Sequence, residues 1–313
     1  MSMASIPVTV VAGFLGAGKT TLLRNLLERC EGRRLAVIVN DFGELNIDAG
    51  MIAEQTEAVY SLENGCICCS VQDDLLAQLE RLASMSPPLE QVVIECSGVS
   101  DPQRIVQTLG YPKLRKRLHL DAVLTVVDAA RREPLAGEYA RLERMQAAAA
   151  DLLLLNKCDL LDAGELSAQR ERFGRGARVL ETIQAQIPDE LLLGEPSRWL
   201  RPHRQGGIDH GELFESWSWQ GGLVFDGARL QKWLGDLPKE LLRLKGLLRL
   251  AGQEGALWLQ YVGGRYQFRP ATEAEAAQGA RLVFIAEKGG TLRARLEAGL
   301  RECSVPDEQV CEQ

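Results

Sequence analysis

The sequence predicts an α/β protein in which a doubly wound, mostly parallel sheet is followed by a smaller α+β domain. Short apolar runs alternate with helical patterns over the first two-thirds of the chain, which is typical of a parallel sheet covered on both faces. A glycine-rich loop ending in Lys-Thr follows the first apolar run. In the last third, short strand-like runs separated by glycine turns indicate an antiparallel sheet.

The predicted parallel strands are continuous apolar runs, and most of them lead directly into polar residues. Amphipathic stretches between the runs are predicted to be helices. Because ligands bind at the carboxyl ends of the strands in such folds, the polar residues that follow them are the candidate site residues. The strands are predicted at Val8–Ala12, Leu35–Asn40, Val92–Cys96, Ala122–Val127 and Leu152–Asn156, and the helices include Thr20–Glu28, Val71–Ala83 and Leu142–Ala149.

A change in composition separates two predicted domains. Residues 195–211 are rich in proline, glycine and charge, which is typical of a linker. We therefore predict a first domain over residues 1–200, a linker over 201–212 and a second domain over 213–313. The second domain is predicted to contain strands at Trp217–Phe225, Leu247–Ala251, Ala256–Val262, Tyr266–Pro270 and Leu282–Ala286, and helices at Ala228–Leu244 and Leu292–Cys303.

Length and composition narrow the classes of function. The chain has 313 residues, of which 46% are hydrophobic and 25% charged, as in ordinary globular proteins. Its formal net charge of −7 argues against nucleic acid or an anionic membrane as a general partner, because both favour a basic protein face. The apolar N-terminal stretch lacks the charged flank of a signal peptide, and no apolar run is long enough to cross a bilayer. We expect a cytoplasmic protein with reduced thiols.

Residues 13–20 read Gly-Phe-Leu-Gly-Ala-Gly-Lys-Thr and form a Walker A motif between a predicted strand and a predicted helix. Its glycines let backbone N–H groups turn towards phosphates, and the helix N-terminus adds its dipole. Lys19 is expected to reach the β- and γ-phosphates, and the Thr20 hydroxyl to bind Mg²⁺. A chance glycine-rich turn is the alternative, but both flanks fit the motif. The predicted nucleotide ligands here are Gly13, Gly16, Ala17, Gly18, Lys19, Thr20 and Thr21.

The sequence Asn156-Lys157-Cys158-Asp159 ends the fifth predicted strand and indicates guanine recognition. The Asp159 carboxylate can accept hydrogen bonds from guanine N1–H and its 2-amino group, and adenine offers neither donor there. Lys157 can lay its aliphatic stem along the base, and Asn156 can brace the loop. The alternative is a strand end followed by a helix cap.

Acidic residues after two other strands point to Mg²⁺ and hydrolysis. Glu95 ends an apolar strand as a Walker B residue does, and Gly98 can offer its N–H to the γ-phosphate. Asn40-Asp41-Phe42-Gly43-Glu44 is interpreted as a switch loop that serves Mg²⁺, the attacking water or a second metal. Ordinary turns are the alternative in both places. Lys19, Thr20, Asp41 and Glu95 are the predicted catalytic residues.

Three thiols in four residues, Cys66, Cys68 and Cys69, precede the predicted helix at Val71. Thiolates bind Zn²⁺ and similar soft cations, and a helix N-terminus lowers their pKa. Three sulfurs leave a tetrahedral metal one ligand short, which Glu44, a histidine or a water can supply. Such an incomplete shell suits transfer of the metal. Buried cysteines or a redox dithiol are the alternatives.

Together these motifs resemble those of the CobW-type P-loop GTPases, a family related to the nickel-insertion GTPases of urease and hydrogenase maturation. The resemblance implies a GTP-dependent metallochaperone, with zinc the usual ion and Co²⁺ an alternative, whose second domain engages a client metalloprotein. Two departures are Asp41, where relatives commonly carry Glu, and the presence of only His203 and His210 where many relatives are histidine-rich. The resemblance rests on residues 13–20, 40–44, 66–69, 95–98 and 156–159, and continues at 243–249 and 281–285.

We therefore predict a GTPase that binds GTP·Mg²⁺, holds Zn²⁺ through Cys66, Cys68, Cys69 and Glu44, and delivers it under nucleotide control. No arginine finger or positioned glutamine is evident in the sequence, so intrinsic turnover is expected to be slow. A P-loop small-molecule kinase and a redox-regulated GTP-binding module are the competing hypotheses. Neither the client nor the oligomeric state follows from the sequence.

Overall fold

The structure is a computed structural model that describes residues 5–29, 33–39, 59–61, 70–174, 178–192, 214–221, 223–277, 279–288 and 290–305. The chain divides into two compact units, one over Ser5–Gly194 and the other taking up the chain from Glu195. The predicted linker, residues 201–212, lies outside the described residues, as do His203 and His210. Within the part of the chain that is described, no helix is long and apolar enough to cross a membrane.

The first unit is built on a seven-stranded sheet in which every strand pairs in parallel, in the order β3-β2-β4-β1-β5-β6-β7. The predicted fold class is confirmed. The strands are β1 Ile6–Ala12, β2 Leu35–Val39, β3 Val59–Ser61, β4 Gln91–Glu95, β5 Leu118–Asp128, β6 Leu152–Asn156 and β7 Arg178–Thr182. The helices are α1 Lys19–Arg29, α2 Ser70–Leu82, α3 Gln103–Leu109, α4 Gly137–Ala148, α5 Ala163–Phe173 and α6 Asp189–Leu192, with a 3₁₀ turn at Cys158–Leu160.

Burial explains why the apolar runs form this sheet. Every residue of β1, β2, β4 and β6 is buried, as expected when helices cover both faces. On one face, leucines of α2 and α3 pack against alternate residues of β1 and β4. Each fully buried leucine contributes about 2 kcal/mol to folding, so this face is a major source of stability.

The strand order brings three polar strand ends to one edge of the sheet. Val11 near the end of β1 pairs with Glu95 of β4, and Asp128 of β5 pairs with Asn156 of β6. Since β1 lies between β4 and β5, the loop that follows it emerges with polar residues on either side. This is the edge where ligands bind in doubly wound sheets.

The second unit contains an antiparallel sheet in the order β12-β11-β10-β13-β8, with a short strand β9 parallel to β10. Two helices, α7 and α9, contribute Leu230, Leu234, Leu296 and Leu300 to its core. The strands are β8 Phe214–Gln220, β9 Val224–Phe225, β10 Leu241–Leu250, β11 Leu257–Val262, β12 Arg265–Pro270 and β13 Arg281–Glu287. The helices are α7 Gly227–Gly235, α8 Glu273–Ala276 and α9 Leu292–Glu302.

Three predicted elements of this unit were wrong in extent. The predicted strand Leu247–Ala251 is the last part of a longer strand, Leu241–Leu250. The predicted helix Ala228–Leu244 ends at Gly235, and β10 begins at Leu241. Pro238 lies between them, and residues 241–248 are all buried, so an apolar run that also fits helical spacing is a strand buried on both faces. The predicted strand Trp217–Phe225 is divided into β8 and β9.

Candidate nucleotide-binding site

The loop between β1 and α1 has the backbone that a phosphate cradle requires. Gly13, Gly16 and Gly18 have φ values of 139°, 74° and 112°, in the region that disfavours residues with a Cβ. A Cβ at Gly13 would overlap the carbonyl oxygen of Val126, and a Cβ at Gly18 would overlap the side-chain amide of Asn156. Glycine is therefore required at both positions by shape as well as by backbone conformation.

Asn156 braces this loop from the end of β6, which is separated from β1 by β5. Its side-chain amide donates to the carbonyl of Ala17 at 2.9 Å, and its Oδ1 accepts from the backbone N–H of Ala185 at 2.7 Å. The C=O and the next N–H point in opposite directions across a trans peptide, so this bond turns the N–H of Gly18 away from Asn156. The buried side chain of Asn156 thus fixes one N–H of the predicted phosphate cradle.

Lys19, Thr20 and Glu95 meet at the start of α1 and the end of β4. The Thr20 hydroxyl lies 3.4 Å from Glu95 Oε1, and Lys19 Nζ lies 3.4 Å from the carbonyl of Phe14. The Lys19 and Glu95 side chains are buried. A hydroxyl beside a buried carboxylate is the oxygen donor set that Mg²⁺ prefers, so these residues fit that ion.

The guanine motif places its two charged residues differently. Lys157 has φ 67° and its ammonium lies 2.7 Å from Asp128 Oδ2. Asp159 is exposed in the 3₁₀ turn, and within the described residues its carboxylate makes no hydrogen bond or ion pair. The residue that caps α5 is Asp162, which accepts from the N–H of Glu165 in a capping box. Helix capping therefore does not account for Asp159, whose carboxylate is available to a ligand.

Two features near these residues did not follow from the sequence. Thr182 at the end of β7 and Ala185 in the loop after it lie against Asn156. The carbonyl of Gln184 in the same loop accepts from Asn25 of α1 at 2.8 Å. Residues along β7 alternate between buried and half-buried, unlike the continuous apolar runs used to predict strands. The sequence of this strand, Arg-Val-Leu-Glu-Thr, neither forms a continuous apolar run nor alternates apolar and polar residues, so no local signal marks it.

The loop after β4 packs against the Walker A loop. A Cβ at Gly98 would lie 2.9 Å from the backbone nitrogen of Leu15, so the two loops are in close contact. The fully buried side chain of Gln146 on α4 donates to the carbonyls of Gly98 and Ser100 at 3.2 and 3.0 Å. Gln146 therefore holds the segment that is predicted to face the γ-phosphate, and no sequence motif marks it.

The thiols of the described residues are packed and neutral. Burial raises the pKa of Cys96 to about 12, against a smaller lowering by Lys19, and raises the pKa of Cys303 to about 11. Burial also raises the pKa of Cys158, whose thiol donates to the carbonyl of Leu155 at 3.0 Å. None of these three cysteines has the thiolate character of a metal ligand.

Comparison with known proteins assigns both units. Residues 7–183 match the CobW/HypB/UreG nucleotide-binding domain, and residues 214–304 match the cobalamin synthesis protein cobW C-terminal domain. The chain belongs to the CobW/HypB/UreG family. The family predicted from the sequence motifs is thereby confirmed.

Relatives within the CobW/HypB/UreG family match nearly the whole chain. A protein of Pseudomonas aeruginosa named zinc chaperone CobW is 34% identical, with 92% of this chain and 89% of that protein covered. A zinc chaperone CobW of a Sinorhizobium species is 32% identical, with 91% and 93% covered. The crystal structure of Zn(II)-bound YjiA GTPase from Escherichia coli is 27% identical, with 96% and 99% covered and a TM-score of 0.45.

The predicted zinc ligands of this CobW/HypB/UreG protein lie outside the described residues: Glu44, Cys66, Cys68 and Cys69. The predicted catalytic residue Asp41 also lies outside them, whereas Thr20, the predicted Mg²⁺ ligand, is described. Among the residues that are described, no group of three or more His, Cys, Asp or Glu side chains could hold a metal ion. The Cys-x-Cys-Cys metal site therefore remains a prediction from the sequence.

Proposed function

We propose that this protein binds GTP with Mg²⁺, hydrolyses it, and uses the nucleotide to control the delivery of zinc to a client metalloprotein. The observation that carries the nucleotide part is a Walker A loop braced by the side chain of Asn156, with the exposed carboxylate of Asp159 three residues further along the chain. The metal part rests on the cysteine motif and on relatives that are named zinc chaperones.

Guanine selectivity follows from the position of Asp159. Two donors of guanine would each make a charge-assisted hydrogen bond worth about 1.5–3 kcal/mol to its carboxylate. Adenine offers neither, so GTP is expected to bind about 10²–10⁴ times more tightly than ATP. This difference separates the proposal from a small-molecule kinase that uses ATP.

The residues around the phosphates have separate tasks in this proposal. Lys19 neutralises the β- and γ-phosphates, and backbone N–H groups of the Walker A loop orient the chain of phosphates. Thr20 and Glu95 hold Mg²⁺, which spreads the charge that develops on the phosphates. Gly98 offers its N–H to the γ-phosphate, so the loop after β4 distinguishes GTP from GDP. Asp41 is proposed to orient the attacking water.

Zinc is the cargo in this scheme. Cys66, Cys68 and Cys69 are proposed to bind it as thiolates, with Glu44 as a fourth ligand. The second domain is proposed to engage the client. A cytoplasmic location is proposed as well, because thiol ligands require a reducing compartment. If GTP changes the affinity for zinc, zinc must change the affinity for GTP by the same factor.

The test is a titration of the reduced, metal-free protein with Zn²⁺ in the presence of GTP·Mg²⁺, GDP·Mg²⁺ or no nucleotide. We expect one tight site whose affinity depends on the nucleotide and which is lost in Cys68→Ala. Cys303→Ala is the matched control, because it removes a buried, neutral thiol of the second domain. Zinc binding that is indifferent to nucleotide, or is retained in Cys68→Ala, contradicts the proposal.

A redox-regulated GTP-binding module is the competing proposal that the cysteine motif also supports. It predicts that mild oxidant removes free thiols from the Cys66–Cys69 segment and changes GTP affinity without any metal. Counting free thiols before and after oxidant, in the metal-free and in the Zn²⁺-loaded protein, distinguishes the two. Thiols that are protected by Zn²⁺ and remain reduced with mild oxidant support the metallochaperone.

A further inference from the structure

Arg131, in the segment between β5 and α4, lies against Phe14 and Leu15 of the Walker A loop. Its Nη2 donates to the carbonyl of Leu15 at 3.2 Å. Its guanidinium carbon lies 5.1 Å from the centre of the Phe14 ring, a cation–π arrangement. Phe14 in turn makes an edge-to-face contact with Tyr139 of α4, with ring centres 5.5 Å apart. The arginine is therefore held between the ring and the backbone of the same loop.

The hydrogen bond to Leu15 sets the direction of a peptide group. Because C=O and N–H are opposed across a trans peptide, a carbonyl directed at Arg131 turns the N–H of Gly16 away from it. Asn156 acts in the same way two residues later, on the carbonyl of Ala17 and the N–H of Gly18. Arg131, from the segment after β5, and Asn156, from the end of β6, thus fix two alternate N–H groups of the Walker A loop.

No described residue neutralises the charge of Arg131. Within the described residues it forms no ion pair, and its buried Nε has no hydrogen-bond partner. Lys157, close by in the fold, is instead paired with Asp128 at 2.7 Å. A guanidinium stays charged at every relevant pH, so Arg131 brings a permanent positive charge to a loop that is built for an anion.

We propose that Arg131 is a positioning residue for the nucleotide phosphates, which holds the Leu15–Gly16 peptide so that its N–H faces the β-phosphate side of the Walker A loop. The inference rests on the proposed binding of GTP and adds a residue to that site. Arg131 acts through the backbone of the loop, so it contributes to binding of the ground state and the transition state alike. Uniform binding of this kind changes KM and leaves kcat nearly constant.

The test compares Arg131→Ala, Arg131→Lys and the full-length wild type. Arg132→Ala is the matched control, because Arg132 is the adjacent, exposed arginine and its removal makes the same change of net charge. Affinities for fluorescent GDP and for a non-hydrolysable GTP analogue are measured with Mg²⁺, together with kcat and KM for GTP. Melting without nucleotide reports any loss of folding.

We expect Arg131→Ala to lower the affinity for both nucleotides about tenfold, as the loss of one charge-assisted hydrogen bond would do. KM for GTP should rise by the same factor. Arg131→Lys should recover part of the affinity. Guanidinium ion, added to Arg131→Ala far below denaturing concentrations, should restore affinity where sodium chloride at equal ionic strength does not. Arg132→Ala should match the wild type.

Three results would overturn the inference. They are unchanged nucleotide affinity in Arg131→Ala, an equal loss in Arg132→Ala, and a collapse of kcat at unchanged affinity, which would assign Arg131 to the transition state. If the wild type itself binds neither GDP nor the GTP analogue, the proposed GTP function fails instead, so the two failures are distinguishable.

Discussion

Gln146 offers a test of how the loop after β4 is held. Its amide is fully buried and donates to the carbonyls of Gly98 and Ser100, while its Oε1 is buried without a partner among the described residues. The substitution Gln146→Met keeps the length of the side chain and removes both donors. Two backbone carbonyls of the loop then lose their partner at once.

The expected cost follows from these contacts. Each buried carbonyl that loses its hydrogen bond lowers the free energy of unfolding by about 1–3 kcal/mol. Removing the unsatisfied Oε1 of Gln146 offsets part of this loss, because that atom is buried without a partner among the described residues. We therefore expect a net destabilisation of the first unit by about 2 kcal/mol. For a unit of this size that corresponds to a fall in Tm of about 4–8 °C.

The assay uses the distribution of tryptophan in the chain. All five tryptophans lie at or beyond Trp199, so their fluorescence reports the second unit, while circular dichroism reports the helices of both. Gln146→Met should lower the temperature of the unfolding transition that circular dichroism reports for the first unit. It should also speed amide hydrogen exchange in residues 97–100. Gln107→Met, on an exposed position of α3, is the control and should change neither.

Gln146→Glu adds a pH dependence to the same test. Desolvation raises the pKa of a buried glutamic acid, so its folded-state pKa lies above the unfolded value. The unfolded chain then loses its proton first, and stability falls as pH rises between the two values. Equal stability of Gln146→Met and wild type, or no pH dependence in Gln146→Glu, would refute the idea that this amide holds the loop.

Three further predictions follow from the described contacts. Asp159→Asn replaces a hydrogen-bond acceptor by a donor, so the binding preference should shift from guanine to xanthine nucleotides. An equal loss of affinity for both nucleotides would contradict a contact between Asp159 and the guanine base. Gly13→Ala places a Cβ on the carbonyl of Val126, and should abolish nucleotide binding while the second unit still melts normally. Burial raises the pKa of Glu275, but hydrogen bonds from Arg269 and Thr272 outweigh it and lower the pKa overall. Its stabilising effect should be present above the unfolded pKa and be lost as pH falls through the folded one, so Glu275→Gln should destabilise at pH 7 and cease to do so in acid.

The sequence predicted those parts of the fold whose signal is local. Strands β1, β4 and β6 are buried on both faces, so their apolar runs identified them directly. Strand β5 begins at Leu118, whereas the prediction began it at Ala122. The first four residues were missed because His119 and Asp121 interrupt the apolar pattern on which the prediction depended. The apolar run 241–248 fits the spacing of a buried helix as well as that of a buried strand. Only its packing in the second unit decides that it is a strand.

The candidate site divides in the same way. The Walker A loop and the guanine motif are each a continuous stretch of sequence, and Glu95 directly ends an apolar run. All three could therefore be predicted from the spacing of their residues. Arg131 and Gln146 were not, since each acts on a carbonyl that is distant in sequence and carries no residue signature. Backbone carbonyls are the same in every residue, so contacts to them depend on tertiary placement alone.

The strand order also limits how nucleotide and metal can be coupled. The chain leaves β3 at Ser61 and enters α2 at Ser70, so the cysteine motif is attached at the carboxyl end of β3, the same edge that carries the Walker A loop. Between β3 and β1 lie β2 and β4, which makes the separation of the two strands about 14 Å. Direct contact between phosphate and Ser61 is excluded at that separation. The ends of β2 and β4, after which Asp41 and Gly98 follow in sequence, lie between these two strands. The loop that Gln146 holds follows β4, so it is one route along this edge by which the nucleotide can affect zinc binding.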